Sequence, residues 1–498
     1  MQRESPFIKK FRTRKNSYIY DVNTNRLLLV NPIIFKIIPF LGSFSKEEIF
    51  SRLENKIKKT EFAENYEIIQ QLQKKYFVFS TSRPERRGSQ EAMDEKSLLD
   101  TYNKENIGQM CLELTQQCNL RCKYCVYSGK YKYQRIHNNR VMSYATARKA
   151  IEFYIERAES DRGSISFFGG EPLLRFDILK KCANHIKYKL GKKKLGIRIC
   201  TNGILLNDMS IEFIIKNKID LQISVDGPKS HHDKYRTFKN GKGSFNQVKT
   251  ILEKIKKIDS NYYRKHIILI CVITPSTNLI ELNNFFLTNH LTKDVSLRIG
   301  YIDSKDTVFF NSCRFNKNQK NEEKKLWQLY SSGLIKNKEE YSTILDPSFR
   351  QILENLYNRN IYNKPKSVAV LNGPCMPGLR KLFVSCDGNF HICEKMNPFF
   401  PIGNIDSGFD YKKVKSLWEK FLKIVNDSNC LNCWALNFCD ICFATVAKDG
   451  YLELSNRELV CKKTKAYYLA YLKQLANILE RNPDISKTLS NKHNSYVS

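Results

Sequence analysis

The sequence lacks the features that would place the protein in a membrane or outside the cell. It has no run of about 18 apolar residues, which excludes a membrane-spanning helix. Residues 1–15 are charged and contain no apolar stretch, so we expect no secretory signal. The 16 cysteines are therefore expected to stay reduced in the cytoplasm, where clustered thiols bind metal rather than form disulfides.

The sequence also lacks a charge pattern that would identify a partner. The 83 basic and 50 acidic residues give a formal net charge of +33, but no arm of about five or six like charges stands out. Such a charge fits nucleic acid, an anionic membrane or an acidic peptide. The simplest interpretation is a soluble, lysine-rich surface, with neither a membrane nor a nucleic acid as partner. The length of 498 residues predicts two to four domains.

The clearest pattern present is a CxxxCxxC motif formed by Cys118, Cys122 and Cys125, directly after the apolar run 110–114. Three thiolates can hold one face of a [4Fe–4S] cluster, which takes four ligands, so one iron stays open for a small chelating molecule. The alternatives are a zinc site, which usually has four ligands, and disulfides, which need an oxidising compartment.

This motif, with Tyr124 before the third cysteine, resembles the signature of the radical S-adenosylmethionine (radical SAM) enzymes. The resemblance implies that the open iron binds the amino and carboxylate groups of the methionine moiety. Reductive cleavage would then yield a 5′-deoxyadenosyl radical that abstracts a hydrogen atom.

Residues 107–305 alternate between strand and helix patterns. Six strands are predicted, at 110–115, 164–168, 196–200, 220–225, 266–273 and 295–301. This alternation predicts an α/β fold whose parallel sheet closes partway into a (β/α)6 TIM barrel, with the site at the carboxyl ends of the strands.

Polar motifs follow three of these strands, as GGEP from Gly169, TNG from Thr201 and SxDGP from Ser224. Glycines let a backbone approach a ligand closely, and a carboxylate can accept bonds from an ammonium group. The motifs resemble those of the radical SAM enzymes. That resemblance implies cofactor contacts from Tyr124, Gly169, Gly170, Glu171, Asn202, Ser224, Asp226 and Arg236. The alternative for Arg236 is a solvated loop arginine.

A second group of cysteines starts at Cys375, and its spacing resembles the SPASM domain of sulfatase maturases and peptide-modifying radical enzymes. That family usually has three residues between the last paired cysteines, whereas this chain has two, Asp440 and Ile441. The resemblance implies two auxiliary [4Fe–4S] clusters, an outer one on Cys430, Cys433, Cys439 and Cys461 and an inner one on Cys375, Cys393 and Cys442. A zinc ribbon is the alternative.

The inner set is one ligand short, and Cys386 is the candidate for the fourth. If Cys386 is not a ligand, the open iron is left for a substrate thiolate. In sulfatase maturases a carboxylate after the inner-cluster cysteine acts as a base, which implies that role for Glu394; the alternative is a surface glutamate. The remaining thiols are expected to be inert, at Cys111, Cys182, Cys200, Cys271 and Cys313.

Residues 1–82 predict a separate small domain, with a hairpin at 17–21 and 26–30 followed by three helices. It resembles the winged-helix-like peptide-recognition element of ribosomal-peptide maturases, in which a leader peptide adds a strand to the sheet. An ordinary winged helix that contacts DNA is the alternative. The remaining predicted segments are a linker at 83–106, a helical bridge at 306–370, the cysteine-rich domain at 371–465, and a helix with a polar tail at 466–498.

The sequence therefore predicts a cytoplasmic radical SAM maturase of a ribosomally made, cysteine-rich precursor peptide, most simply one that forms thioether crosslinks. It would use S-adenosylmethionine and three [4Fe–4S] clusters, with electrons from a flavodoxin or ferredoxin. The alternatives are formylglycine formation, as in anaerobic sulfatase maturases, and a metal-sensing DNA-binding regulator.

Overall fold

The structure is a computed structural model. It describes residues 5–88, 95–104, 106–158, 162–190, 194–303, 305–312, 315–336, 344, 346–373, 375–454 and 457–490. Cys313 and residues 491–498 of the predicted tail lie outside the described residues. Within those ranges, no helix is both long and apolar enough to cross a membrane.

Seventeen strands are described. They are β1 (Ile8–Arg12), β2 (Ser17–Asp21), β3 (Arg26–Val30), β4 (Arg86–Arg87), β5 (Gln109–Thr115), β6 (Ser164–Gly169), β7 (Gly196–Thr201), β8 (Asp220–Ser224), β9 (Ile267–Ile273), β10 (Ser296–Tyr301), β11 (Val368–Ala369), β12 (Lys381–Val384), β13 (Asn389–His391), β14 (Gly403–Asn404), β15 (Gly408–Phe409), β16 (Ala447–Lys448) and β17 (Tyr451–Leu452).

Eighteen α-helices are described between and after these strands. They are α1 (Pro32–Ile37), α2 (Lys46–Leu53), α3 (Lys59–Tyr76), α4 (Glu95–Lys104), α5 (Tyr144–Arg157), α6 (Phe176–Leu190), α7 (Asp208–Lys216), α8 (Lys229–Tyr235), α9 (Phe245–Ile258), α10 (Ser260–His266), α11 (Leu279–Thr288), α12 (Gln319–Lys336), α13 (Asp346–Tyr357), α14 (Tyr411–Val425), α15 (Ser428–Leu431), α16 (Phe443–Val446), α17 (Arg457–Arg481) and α18 (Ile485–Ser490).

The central sheet contains the six predicted strands as consecutive parallel neighbours, from β5 at one side to β10 at the other. Successive side chains of a strand face opposite ways. Met110, Leu112 and Leu114 of β5 accordingly join the main hydrophobic core. The prediction of an α/β fold with six parallel strands is confirmed. Among the described strands the sheet is open rather than closed into a ring.

Beyond β5 the sheet continues into the cysteine-rich part of the chain. Strand β12 pairs in parallel with β5, and β13, β14 and β15 follow as antiparallel neighbours. This continuation was not predicted, because nothing local in a four-residue strand indicates a partner so far away in the sequence. It brings residues 381–384 alongside residues 109–112 of β5, and Cys386 beside Glu113.

The N-terminal residues form a three-stranded antiparallel sheet in the order β1, β2, β3, packed on α1, α2 and α3. The hairpin and the three helices match the sequence prediction, but β1 (Ile8–Arg12) was missed because three of its five residues are basic. The other face of the sheet packs on the cysteine-rich segment. Asn437 Nδ2 donates to Tyr20 Oη at 3.0 Å, and the rings of Tyr20 and Phe438 lie 4.9 Å apart.

The segment predicted as a linker contains ordered structure. Strand β4 pairs with β11, and α4 buries Leu98 and Tyr102, which are 0% and 4% exposed. Because residues 83–106 are mostly polar, nothing in the sequence indicated that Leu98 and Tyr102 are buried. The domain boundaries themselves stay a prediction.

Candidate functional site

The Gly169–Gly170 turn at the end of β6 lies against the end of β5. Gly169 has φ +139°, and a Cβ atom there would lie 2.2 Å from the Thr115 carbonyl oxygen. A Cβ atom on Gly170 would lie 1.9 Å from the Gln117 oxygen. The amides of Gly170 and Glu171 donate to those two carbonyls, both at 2.8 Å. The glycines are therefore required by the chain's own backbone, which here leads directly into Cys118.

Glu171 connects two of the predicted motifs. Its Oε1 accepts from the Leu173 amide at 3.0 Å and from the Thr201 hydroxyl at 2.7 Å, and its Oε2 accepts from the Asn202 amide at 2.8 Å. The side chain is buried, and burial raises the pKa of the carboxyl. Three donors from the protein thus hold Glu171 in place, and its predicted contact with the cofactor stays a prediction.

Asn202 connects the TNG turn to the cysteine motif. Its Nδ2 donates to the side-chain oxygen of Asn119 at 2.8 Å, and its Oδ1 accepts from the Ile204 amide at 3.1 Å. Asn119 follows Cys118 directly in the sequence. The turn after β7 therefore helps to set the shape of the CxxxCxxC loop.

A buried cluster of Tyr124, Asp226 and Arg236 lies on the other side of this loop. The Tyr124 hydroxyl donates to Asp226 Oδ2 at 2.5 Å and accepts from Arg236 Nη1 at 2.7 Å. Asp226 Oδ1 accepts from the Val272 amide at 3.0 Å. Arg236 is therefore not a solvated loop arginine, and its Nε is buried without a hydrogen-bond partner among the described residues. Ser224 is half-buried as the last residue of β8.

His232 supports this cluster through its neighbours. Its Nδ1 accepts from the Asp226 amide at 3.3 Å, which leaves the proton on Nε2, where it is donated to Ser244 Oγ at 3.0 Å. Ser244 in turn donates to the Arg236 carbonyl at 2.8 Å. Burial lowers the pKa of His232 to about 3, so the ring is neutral.

The three cysteines of the first motif lie in one half-buried loop and influence one another electrostatically. Burial raises the pKa of Cys118 to about 12 and that of Cys125 to about 11, and a metal that binds these thiols would displace their protons. Backbone amides already point at two of the sulfurs, from Leu120 to Cys118 at 3.5 Å and from Tyr127 to Cys125 at 3.4 Å.

No three His, Cys, Asp or Glu side chains within the described ranges converge as they would around a single metal ion. An iron–sulfur cluster does not require the thiolates to converge on one point, because each thiolate binds a different iron. Buried, electrostatically coupled thiols with amide donors to their sulfurs fit that arrangement.

The second group of cysteines contains two sets of electrostatic contacts. Cys433 is influenced electrostatically by Cys439 and Cys461, and Cys461 also by Cys430. Arg457 Nη2 lies 3.3 Å from the Cys430 sulfur. Separately, the Cys442 thiol helps to raise the pKa of Cys393, after burial and Glu394. Cys375 is half-buried.

Cys386 has different surroundings. It is buried at the turn after β12, where its thiol donates to the Glu113 carbonyl at 3.0 Å and its amide donates to Glu113 Oε2 at 3.2 Å. In the part of the chain that the structure describes, no contact joins Cys386 to another cysteine. Its role as a cluster ligand stays a prediction.

Glu394 is half-buried. Its side chain is 21% exposed, and Lys381 Nζ donates to Oε1 at 3.0 Å. Oε2 is buried with no hydrogen-bond partner among the described residues. The carboxylate contributes to the raised pKa of Cys111 on β5, of Cys200 on β7 and of Cys393. It thus lies between the cysteine-rich segment and the central sheet.

Residues 112–283 match the model of the Radical SAM superfamily. This chain is a radical SAM enzyme. Enzymes of this type use S-adenosylmethionine and a [4Fe–4S] cluster, so the hypothesis of a metal-sensing regulator is wrong.

Several known proteins are similar to this radical SAM enzyme over much of its length. The radical SAM cyclopropyl synthase TigE of Paramaledivibacter caminithermalis is 22% identical, over 89% of this chain and 90% of its own. The cysteine-type anaerobic sulfatase-maturating enzyme of Clostridium novyi is 24% identical, over 75% of this chain and 97% of its own. The solved structure of native anSMEcpe with bound AdoMet and the Cp18Cys peptide covers 78% of this chain and 99% of its own, with a TM-score of 0.56 and 20% identity, and so shares the fold.

Sequence reasoning missed two side chains of this radical SAM enzyme. Glu113 is 1% exposed, forms an ion pair with Arg135 and accepts from Gln116 at 2.8 Å. A carboxylate inside the apolar run 110–114 was the signal that could have identified it. Lys381, the partner of Glu394, carried no such signal, because its neighbour is 13 residues away in the sequence.

Proposed function

We propose that this radical SAM enzyme modifies a ribosomally made, cysteine-rich precursor peptide by joining a cysteine sulfur to a carbon of another residue. The observation that carries the proposal is the position of Glu394, directly after Cys393, with one buried carboxylate oxygen left unbonded beside the central sheet. Two similar proteins support it by name, since sulfatase-maturating enzymes act on another protein and anSMEcpe has been solved with a peptide.

The cofactor would be held on the side of β6 to β9. Cys118, Cys122 and Cys125 would bind the first [4Fe–4S] cluster. S-adenosylmethionine bound at this site would supply, on reductive cleavage, the radical that removes a hydrogen atom from the substrate. The chain's own contribution is to shape this site, with the cofactor contacts assigned to Tyr124, Gly169, Gly170, Glu171, Asn202, Ser224, Asp226 and Arg236. The unpartnered Arg236 Nε is a donor available to a carboxylate.

The cysteine-rich segment would hold two auxiliary clusters. The outer set is Cys430, Cys433, Cys439 and Cys461, and the inner set is Cys375, Cys393 and Cys442. The electrostatic coupling within the outer set and between Cys393 and Cys442 supports this division. A flavodoxin or ferredoxin would supply the electron that cleaves S-adenosylmethionine, and the auxiliary clusters would accept the electron that is released when the carbon–sulfur bond forms.

Glu394 would take the proton that the incoming cysteine must release. Lys381 fixes Oε1, so Oε2 is the oxygen left to accept. There is a second route for the same proton. If Cys386 is not a ligand, as its bond to the Glu113 carbonyl favours, an open iron of the inner cluster would acidify the thiol by coordination.

The N-terminal sheet would bind the leader of the precursor. Strand β3 pairs only with β2 among the described strands, so its outer edge can accept an added strand. Leu29 on β3 is 61% exposed, and Ile68 on α3 and Phe77 at its end are 41% and 51% exposed. These apolar side chains suit the alternating residues of an extended peptide.

Formylglycine formation is the second candidate, because Glu394 occupies the place at which sulfatase maturases carry their base. The N-terminal sheet argues against it, since a sulfatase maturase has no need of a leader-binding module.

The leader proposal is tested by Leu29→Glu in the full-length enzyme, with a synthetic leader from a cysteine-rich reading frame beside the gene. Binding should weaken about tenfold or more, because a charge replaces exposed apolar contact, while cleavage of S-adenosylmethionine stays unchanged. Met209→Glu is the control, since Met209 is 66% exposed on α7, outside the N-terminal sheet. Unchanged leader affinity in Leu29→Glu would contradict the proposal.

A further inference from the structure

Three tyrosines lie near one carboxylate at the open edge of the central sheet. Tyr301, the last residue of β10, is 61% exposed, and Tyr467 on α17 is 47% exposed. The rings of Tyr467 and Tyr471 lie 5.0 Å apart in an edge-to-face arrangement. Glu323 lies one helical turn before Trp327 on α12, and the rings of Trp327 and Tyr471 lie 5.4 Å apart. The Glu323 carboxylate acts electrostatically on all three tyrosines. We refer to Glu323, Tyr301, Tyr467 and Tyr471 as the β10 rim.

Glu323 has no cationic partner among the described residues. No hydrogen bond or ion pair to its carboxylate exists within the described ranges, although the chain has 83 lysines and arginines. It is half-buried, and burial raises the pKa of its carboxyl. The adjacent Glu322 is different, since it accepts from the Leu279 amide at 2.8 Å and from Asn316. A half-buried carboxylate without a partner makes folding less favourable, and a bound cation would offset that cost.

The β10 rim lies at the same end of the sheet as the cofactor site. Helix α12 begins there, because Gln319 Nε2 donates to the carbonyl of Thr274, the residue that follows β9, at 2.9 Å. Strand β10 pairs only with β9 among the described strands, so the sheet is open on this side. A peptide that approaches the carboxyl ends of the strands across the open edge at β10 would pass Tyr301 and Glu323.

We propose that the β10 rim binds the side chain of a lysine or arginine in the peptide substrate. This inference rests on the proposed function, because it assigns a subsite to that peptide. The carboxylate supplies an ion pair, and the faces of exposed tyrosines attract a cation placed over them. A neutral or acidic side chain would leave Glu323 without a partner, so the rim selects for positive charge.

The test uses the full-length holoenzyme and two capped pentapeptides, acetyl-Gly-Ala-Arg-Ala-Gly amide and its norleucine counterpart, titrated by NMR. The unaltered enzyme should bind the arginine peptide about fivefold more tightly than the norleucine peptide. This is the size of effect that one partly exposed cation–π contact together with an ion pair provides. Glu323→Gln should remove the preference, Tyr301→Leu should reduce it, and Tyr301→Phe should keep it. The matched controls are Glu212→Gln on α7 and Tyr188→Leu on α6, where Tyr188 is 82% exposed.

Equal binding of the two peptides, or a preference that survives in Glu323→Gln, would overturn the inference. An unchanged melting temperature in Glu323→Gln verifies that the variant is folded. The absence of a preference for the arginine peptide can be distinguished from failure of the proposed function. An enzyme that cleaves S-adenosylmethionine and crosslinks its precursor, yet shows no preference for arginine, refutes only the role of the β10 rim.

Discussion

The central sheet has a cofactor side, at the carboxyl ends of β5 to β9, and a flanking side, which consists of the two separate flanks at β10 and β12. The polar side chains of the two find their partners differently. On the cofactor side, Glu171 accepts three hydrogen bonds and Asp226 accepts from Tyr124 and Val272. On the flanking side, Glu394 Oε2 is buried without a partner, and Glu323 has none among the described residues.

Internal hydrogen bonds shape a site before its ligand arrives, whereas an unbonded buried group costs free energy until a ligand bonds to it. We infer that the cofactor side is preformed and that the flanking side, at β10 and at β12, is completed by the peptide. Variants on the two sides should therefore fail in different ways.

The largest effect is expected from replacing Cys118, Cys122 and Cys125 together by alanine. Three [4Fe–4S] clusters amount to about twelve irons per chain, and this variant should lose about four of them. Cleavage of S-adenosylmethionine should disappear, because no ligands remain for the first cluster. Iron analysis of anaerobically purified protein and an assay for 5′-deoxyadenosine provide the measurement. Cleavage that persists in the triple variant would refute the assignment of the cofactor side.

Glu171→Gln should have the next largest effect. The amide would turn an NH2 group toward donors that now bond to a carboxylate, and a buried donor left unpaired costs about 1–3 kcal/mol. We expect cleavage of S-adenosylmethionine to fall about 10- to 100-fold and the melting temperature to drop. Glu212→Gln on α7 is the control. Wild-type cleavage by Glu171→Gln would mean that the cofactor side is not held together by this carboxylate.

The smallest effect concerns acid stability and His232. Its folded pKa, about 3, lies below the ordinary value of 6.5, so the unfolded chain takes up this proton first as the pH falls. Stability should therefore decrease as the pH falls below about 6.5, by about 2 kcal/mol at pH 5 from this group. His232→Gln should lose less stability over that interval in denaturant titrations, and His290→Gln should behave like the unaltered enzyme. Equal acid sensitivity in all three proteins would contradict the neutral, buried ring.

The cofactor side could largely be predicted from the sequence, whereas the flanking side could not. The six parallel strands and the motifs after them are local patterns, and the structure brings Glu171, Asn202, Tyr124 and Arg236 around the cysteine loop. The pairing of β12 with β5 is different. It joins Cys386 to Glu113 across 273 positions, and no local periodicity encodes such a contact. Glu323 and Tyr301 likewise belong to different elements, α12 and β10, and no local pattern relates them.

The most direct test of the account is the ratio of peptide crosslinked to S-adenosylmethionine cleaved by Glu394→Gln. Loss of a general base typically slows a reaction about 10²- to 10⁴-fold. The variant should keep its full iron content and its cleavage of S-adenosylmethionine, yet lose crosslinking by a factor in that range. Wild-type crosslinking by Glu394→Gln would contradict the role of Glu394, and a parallel loss of cleavage would contradict the separation between the two sides.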